Sequence, residues 1–201
     1  MTPVTAGVIV AAGTATRMGE LKQLIALGER PMLQWVVDAA EASRLDRVVV
    51  VTGPGDAEVR SKIRLERASF VRNMQPERGT MSSLRAGVAG AGPADAVMKL
   101  VADQPEVTTG DIDALIGAWD PDRFSSALIS YSDGPGHPLL VGRDLLDRVL
   151  RRDGDRLLWH LIEGNAGGLL LVSVDRPRPV DVNDPADLEL VRSRLFRNGD
   201  A

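Results

Sequence analysis

Between Ala11 and Lys22 the chain reads Ala-Ala-Gly-Thr-Ala-Thr-Arg-Met-Gly-Glu-Leu-Lys. Small residues at Ala11, Ala12 and Gly13 let backbone N–H groups approach anionic oxygens closely. Arg17 adds a planar fork for two phosphate oxygens, and Lys22 a compact point charge. Together they suit a phosphate ligand. The Gly-Lys-Ser/Thr ending of a P-loop is missing, and so is the GxGxxG spacing of a dinucleotide site. On these residues alone, a surface loop with two ordinary basic side chains is an equal alternative.

Asp103 closes an apolar run and opens Asp103-Gln104-Pro105. A carboxylate at the carboxyl end of a strand can hold Mg2+ against phosphates. Mg2+ takes oxygen ligands and keeps several waters, so one or two carboxylates suffice. A helix-capping or turn Asp is the alternative use. His137 and His160 are the two histidines, which excludes a His-rich metal centre. With no Cys, disulfides, thiolate nucleophiles and thiolate metal sites are excluded as well. The formal net charge of -4 argues against a nucleic-acid partner. The apolar run Ala6 to Gly13 is too short to span a bilayer, so no membrane partner is expected. A charged n-region and a signal-type cleavage site are both missing, and a cytoplasmic location is expected.

These residues need a frame. A chain of 201 residues is enough for a single domain, expected over 1–201. Aromatics make up only 3%, so the core must be Val, Leu, Ile and Ala, as in buried parallel strands covered by helices. Strands are expected at Val8–Ala12, Val48–Thr52, Ser69–Arg72, Val97–Ala102, Ser126–Tyr131, His137–Val141 and Leu169–Val174. Helices are expected at Pro31–Ala42, Ala57–Arg67, Ser82–Ala89, Asp111–Trp119, Arg143–Arg152 and Pro185–Phe196. Ser82 and Ser83 suit an N-cap. His160, beside Trp159, reads as a structural residue on a helix. The alternation is that of βαβ units, giving a mostly parallel sheet with helices on both faces. Ligands of such sheets bind outside the carboxyl ends of the strands, so Gly13 and Asp103 should share one edge.

The order of these segments resembles the signature of the molybdenum-cofactor nucleotidyltransferases, the MobA-like NTP transferase family. Its motif Ala-Ala/Gly-Gly-x-Ser/Thr-x-Arg-Met-Gly, with Lys shortly after, falls on Ala11, Ala12, Gly13, Arg17, Met18, Gly19 and Lys22. Gly28, Pro31 and Leu33 are similar to its continuation, with Met32 where Leu is usual. Glu77 to Gly87 resembles the family's Gly-Met-Ser-Ser-Ser-Leu-Arg-x-Gly segment, departing at Thr80 and Met81. That match implies a base- and ribose-contacting loop, with Asn73 on the same surface. Asp103-Gln104-Pro105 resembles Gly-Asp-Gln-Pro, with Ala102 in place of Gly. Asp181 to Leu188 resembles a late Asp-Ile-Asp/Asn-Thr-Pro-Glu-Asp-Leu. Asp181 is then the second metal ligand, with Asn183 its competitor, while Asp184 and Asp187 cap the last helix. Gly136-His137-Pro138 resembles a Gly-His-Pro segment of the cytidylyltransferase branch. It implies a place for His137 near the acceptor, a structural His in a tight turn being the alternative.

The resemblance implies a three-layer α/β/α Rossmann-like nucleotidyltransferase fold with Mg2+ as cofactor. A nucleoside monophosphate would pass from a nucleoside triphosphate to a phosphorylated acceptor, releasing pyrophosphate. Arg17, Lys22 and Asp103 would be catalytic. Ala11, Ala12, Gly13, Arg17, Lys22, Asn73, Gly79, Ser82 and Ser83 would bind the nucleotide, and Asp103 and Asp181 the metal. The attacking phosphate is already an anion, so the requirement is neutralisation and alignment rather than a general base. The Ala11-Ala12-Gly13 spelling and the Gly-His-Pro segment resemble the CTP-using branch. The implied acceptor is molybdopterin carrying molybdenum, and the implied protein partner a molybdoenzyme. A GTP-using or sugar-phosphate nucleotidyltransferase is the nearest alternative. A non-catalytic molybdenum cofactor-binding chaperone is another, and retention of Lys22 and Asp103 argues against it.

Overall fold

Four successive valines, Val48 to Val51, are all buried, which a strand achieves only when both its faces are covered. They form the middle of β4 (Arg47–Thr52) in a seven-stranded sheet. The computed structural model describes residues 2–13, 21–151, 164 and 168–196. The other strands of the sheet are β1 (Thr5–Ala11), β5 (Ser69–Arg72), β6 (Ala96–Val101), β7 (Ser126–Tyr131), β8 (Gly134–Gly142) and β9 (Leu169–Ser173). A short hairpin of β2 (Ala26–Leu27) and β3 (Arg30–Pro31) stands apart.

The sheet order is β5-β4-β1-β6-β8-β7-β9. β5, β4, β1 and β6 are mutually parallel. β8 alone runs antiparallel, between β6 and β7, and β9 pairs parallel with β7. The chain leaves β1 toward β4 and β5, then returns to the other side of β1 for β6. That reversal makes the β1/β6 crevice the topological switch point, where open α/β sheets bind ligands.

The helices are α1 (Met32–Glu41), α2 (Asp56–Lys62), α3 (Thr80–Ala91), α4 (Thr109–Ala118), α5 (Arg143–Leu150) and a last described helix, Pro185–Leu195. One core layer joins the sheet to α1 and α4 through Ile9, Val50, Leu33, Val37, Ile112 and Leu115. The opposite layer joins it to α3 and α5 through Val8, Val49, Leu84, Leu145 and Val149. The architecture is therefore three-layer α/β/α and Rossmann-like. Among the described residues no helix is long and apolar enough to cross a membrane.

Several boundaries differ from the sequence expectation, and three of the differences have a visible cause. α2 stops at Lys62 rather than Arg67, because side chains of α1 capture the backbone beyond it. Gln34 Oε1 accepts from Arg64 N, and Glu41 Oε1 from the N–H groups of Glu66, Arg67 and Ala68. α3 starts at Thr80 rather than Ser82, and its N-cap is Gly79 at φ 81°, a conformation that only glycine adopts without strain. Ser82 sits inside the first turn instead of capping it. β8 starts at Gly134, three residues before His137, since its Gly and Pro residues pair with β7 across a register shift. The last helix carries the expected cap: Asp184 accepts from Ala186 N and Asp187 N, in a capping box with Asp187.

Candidate active site

β1 ends at Ala11 and runs on into Ala12-Gly13, and β6 ends at Val101 and runs on into Ala102-Asp103, on neighbouring strands at the switch point. A cavity of about 590 Å³ opens there. Ala11, Ala12, Gly13, Lys22 and Asp103 line it from the sheet side, and Gly79, Thr80 and Ser83 from the start of α3. The expected shared edge for Gly13 and Asp103 is therefore observed.

Lys22 opens a 3-10 turn, Lys22–Leu24, that Gln23 ties to the strand end by donating from Nε2 to the Ala11 carbonyl at 3.3 Å. The ammonium donates to Asp103 Oδ2 at 2.7 Å and to Asn183 Oδ1 at 3.0 Å. Asn183 reaches this corner because a small third core holds its segment. Val182, Leu188 and Val191 pack there against Ile25, Leu27 and Met32. Each such buried side chain contributes about 1.5–3 kcal/mol. Val182 N also donates to the Asp103 carbonyl at 3.0 Å.

That anchor sets Asp181 beside Asp103. Gln104 Nε2 donates to Asp181 Oδ1 at 2.8 Å. Burial pushes the Asp181 carboxyl above its usual range; the Gln104 amide opposes the rise and the neighbouring Asp103 charge adds to it. A cation between two such carboxylates would relieve both effects. The donor set is all oxygen, which suits Mg2+ or a similar hard cation. Gln104 Oε1 is buried without a hydrogen-bond partner, an acceptor that a metal-bound water would satisfy. No group of three or more His, Cys, Asp or Glu able to hold a metal occurs among the described residues. Waters and ligand oxygens would therefore complete the shell. Lys22 engages both Asp103 and Asn183, while Asp181 accepts from Gln104.

Asn73 and Ser82 stand behind the cavity wall rather than in it. Asn73 donates from Nδ2 to Ser82 Oγ at 2.7 Å and to Ser83 Oγ at 3.0 Å, and its Oδ1 accepts from Gln75 N. Ser82 Oγ lies 2.8 and 2.7 Å from the Gln75 and Gly79 carbonyls. Both side chains shape the loop that Gly79 and Ser83 present to the cavity. Arg17, with Met18 and Gly19, lies outside the described residues, as do Trp159 and His160.

His137 lines a second cavity, of about 470 Å³, together with Gln104, Asp181, Arg178 and Arg194. Its Nε2 is 3.1 Å from Lys99 Nζ, and its carbonyl accepts from the Tyr131 hydroxyl at 2.7 Å. Desolvation first, and then the Lys99 charge, push His137 down to about 3, so the ring is neutral at physiological pH. Asp103 lines the first cavity, and its sequence neighbour Gln104 lines the second with Asp181. Sequence reasoning gave no role to Lys99 or Gln104. A lone Lys in the apolar strand Ala-Val-Met-Lys-Leu-Val is the signal that could have found the first.

Gly53, just after β4, packs closely under the Ala11-Ala12-Gly13 segment. A Cβ there would stand 2.4 Å from the Ala12 carbonyl oxygen, a backbone atom that cannot swing aside. Gly53→Ala is expected to displace Ala12 and Gly13 and to cost about 1–3 kcal/mol of stability. Urea unfolding checks it; an unchanged midpoint would show that the backbone yields freely.

A family model described as MobA-like NTP transferase domain matches residues 7–174. Nicotine blue oxidoreductase of Paenarthrobacter nicotinovorans is 27% identical over 191 residues, covering 92% of this chain and 89% of that protein. The bifunctional protein GlmU of Burkholderia mallei (strain SAVP1) is 32% identical over 146 residues, or 72% of this chain, and the chain spans 32% of that protein's length. Rv0371c of Mycobacterium tuberculosis H37Rv, solved in complex with manganese, matches with a TM-score of 0.81 at 26% identity, covering 97% of this chain and 99% of that chain.

Proposed function

The chain belongs to the MobA-like NTP transferase domain family, and on that premise we propose that it moves a nucleoside monophosphate from CTP to a phosphorylated acceptor. One observation carries the reading. Gly13, Lys22 and Asp103, far apart in sequence, line one cavity at the switch point of the sheet, with Asp181 alongside. Residues 1–201 act as one cytoplasmic domain in this reading.

The acceptor phosphate attacks the α-phosphorus. A P–O bond forms there, the bond to the β-phosphate oxygen breaks, and pyrophosphate leaves with the electron pair. Backbone N–H groups of Ala12 and Gly13 receive the phosphates. Gly79 and Ser83 face the nucleoside, with Asn73 and Ser82 holding their loop. Lys22 supplies positive charge where negative charge collects. Arg17 belongs to the same set by its place in the motif. Asp103 and Asp181 would hold Mg2+, which when bound neutralises the triphosphate. The manganese complex of Rv0371c supports a divalent cation.

CTP is favoured by Ala12 in the loop and by the Gly-His-Pro spelling at His137. Molybdopterin carrying molybdenum is the acceptor proposed on the same resemblance, and a molybdoenzyme its recipient. The name of the nicotine blue relative, similar over 92% of this chain, favours a second reading as an oxidoreductase. The test is a panel of the four nucleoside triphosphates with Mg2+ and with Mn2+, first for binding, then for pyrophosphate release with molybdenum cofactor present. Cation-dependent CTP binding and pyrophosphate release are expected. Absence of cation-dependent binding for all four would overturn the reading.

A further inference from the structure

The Lys22 ammonium and a divalent cation would draw on the same carboxylate. Lys22 Nζ donates to Asp103 Oδ2 at 2.7 Å and to Asn183 Oδ1 at 3.0 Å. Asn183 Nδ2 donates to the Asp181 carbonyl at 3.0 Å, which sets the amide and turns its oxygen to Lys22. A neutral amide oxygen holds an ammonium without cancelling its charge. The charges of Lys22 and Lys99 both act on the Asp181 carboxyl, as does that of Asp103. Two carboxylates at this corner are thus matched by two ammonium groups. A small dication binds oxygen at about 2.0–2.1 Å, so on Asp103 it would stand a few ångströms from the Lys22 charge and be repelled by it. A triphosphate changes that balance. It brings negative charge for both cations, and oxygens that the ammonium can take in exchange for Asp103. Lys22 lines the cavity proposed to receive it. With three donors, the ammonium can keep Asn183 while it makes the exchange.

We propose that Lys22 is a built-in competitor of the divalent cation at Asp103, so that the cation binds tightly only together with the nucleotide, whose phosphates draw the ammonium off the carboxylate. The inference rests on the nucleotidyl-transfer reading and adds how that site is regulated. Lys22 then acts twice, in opposite directions. Without nucleotide it weakens the cation's hold on Asp103, and with nucleotide it neutralises phosphate charge beside the cation. The coupling is reciprocal: whatever the nucleotide adds to cation affinity, the cation adds to nucleotide affinity. Asn183 is the fixed point about which the ammonium changes partner.

The test titrates Mn2+ into the full chain without nucleotide and follows the free ion by electron paramagnetic resonance. Lys22→Met is expected to bind Mn2+ about tenfold more tightly than the unmodified protein, the size of the repulsion between a unit and a double charge a few ångströms apart in water. Lys22→Arg keeps the charge and is expected to bind as weakly as the unmodified protein. Lys22→Gln replaces Lys22→Met if the latter lacks a native near-ultraviolet circular dichroism spectrum. Adding Asp103→Asn to Lys22→Met should abolish the gain. A side chain of purely structural value would give no tightening. Mn2+ affinity in Lys22→Met equal to or below that of the unmodified protein overturns the inference alone. So does tightening that Lys22→Arg shares, or tightening that survives Asp103→Asn. A CTP analogue with a methylene α,β-bridge, which blocks transfer, is titrated by calorimetry with Mn2+ and with chelator. Tighter binding with Mn2+ is expected for the unmodified protein. Failure to bind the analogue under either condition overturns the transfer reading, and the competition with it.

Discussion

Lys22→Ala is expected to lower the rate of nucleotidyl transfer by roughly 10²- to 10³-fold, the size of effect seen when one preorganised donor is removed. The side chain lines the cavity at the switch point of the sheet, and Asp103 at 2.7 Å and Asn183 at 3.0 Å hold it in place. Two anchors leave it little rotamer freedom to lose on binding, so its charge is available where the triphosphate collects charge. The fold should survive. The Lys22 and Asp103 side chains are 15% and 31% exposed, and an ion pair open to solvent to that degree is worth about 1 kcal/mol or less. Pyrophosphate release in a single turnover, beside urea unfolding of the same preparation, separates the two effects. A stable variant with near-normal transfer would remove Lys22 from the chemistry.

Asp103→Ala should act on a different quantity, the part of nucleotide affinity that depends on the divalent cation. Loss of the carboxylate is expected to weaken Mg2+-dependent CTP binding by at least the roughly 10- to 100-fold that loss of an outer-shell partner costs. The substitution keeps the Asp103 carbonyl, and with it the 3.0 Å bond from Val182 N that docks the 181–183 segment. Asp181 therefore stays in place while its partner carboxylate is gone. Calorimetric titration of CTP with Mg2+ and with chelator measures the difference. An unchanged ratio between those two conditions would count against Asp103 as a metal ligand.

The frame of the site was legible because its signals are local. Val48 to Val51 can be little else than a buried strand, and the Asp184–Asp187 cap announces its helix in four residues. That Gly13, Lys22 and Asp103 line one cavity followed from strand order and a family resemblance. What stayed hidden depends on contacts between distant segments. Ser82 looks like a cap, yet the cap is Gly79, because the Ser82 hydroxyl is drawn to the Gln75 and Gly79 carbonyls. Asn73 sits close to the cavity by sequence but spends its amide on Ser82 and Ser83. The Gly and Pro residues before His137 read as a turn, whereas pairing with β7 makes them strand. Gln104 gains a role only through Asp181, 77 residues away, and Lys99 only through His137 on the next strand.

The Lys22 corner also has a bearing on how the molecule is made. Its ammonium joins Asp103 across 81 positions and Asn183 across 161. Closing the longer loop costs only about 0.6 kcal/mol more than the shorter, since the entropy grows with the logarithm of length. Time, not free energy, is what separates the two. On a ribosome β1 and β6 can pair, and the cavity between them can take form, well before residues 181–183 have been synthesised. A nascent chain at that stage would have Lys22 and Asp103 in place but lack Asn183 as the second anchor. The Lys22 corner is therefore completed late in synthesis, when the small core around Val182 and Leu188 docks.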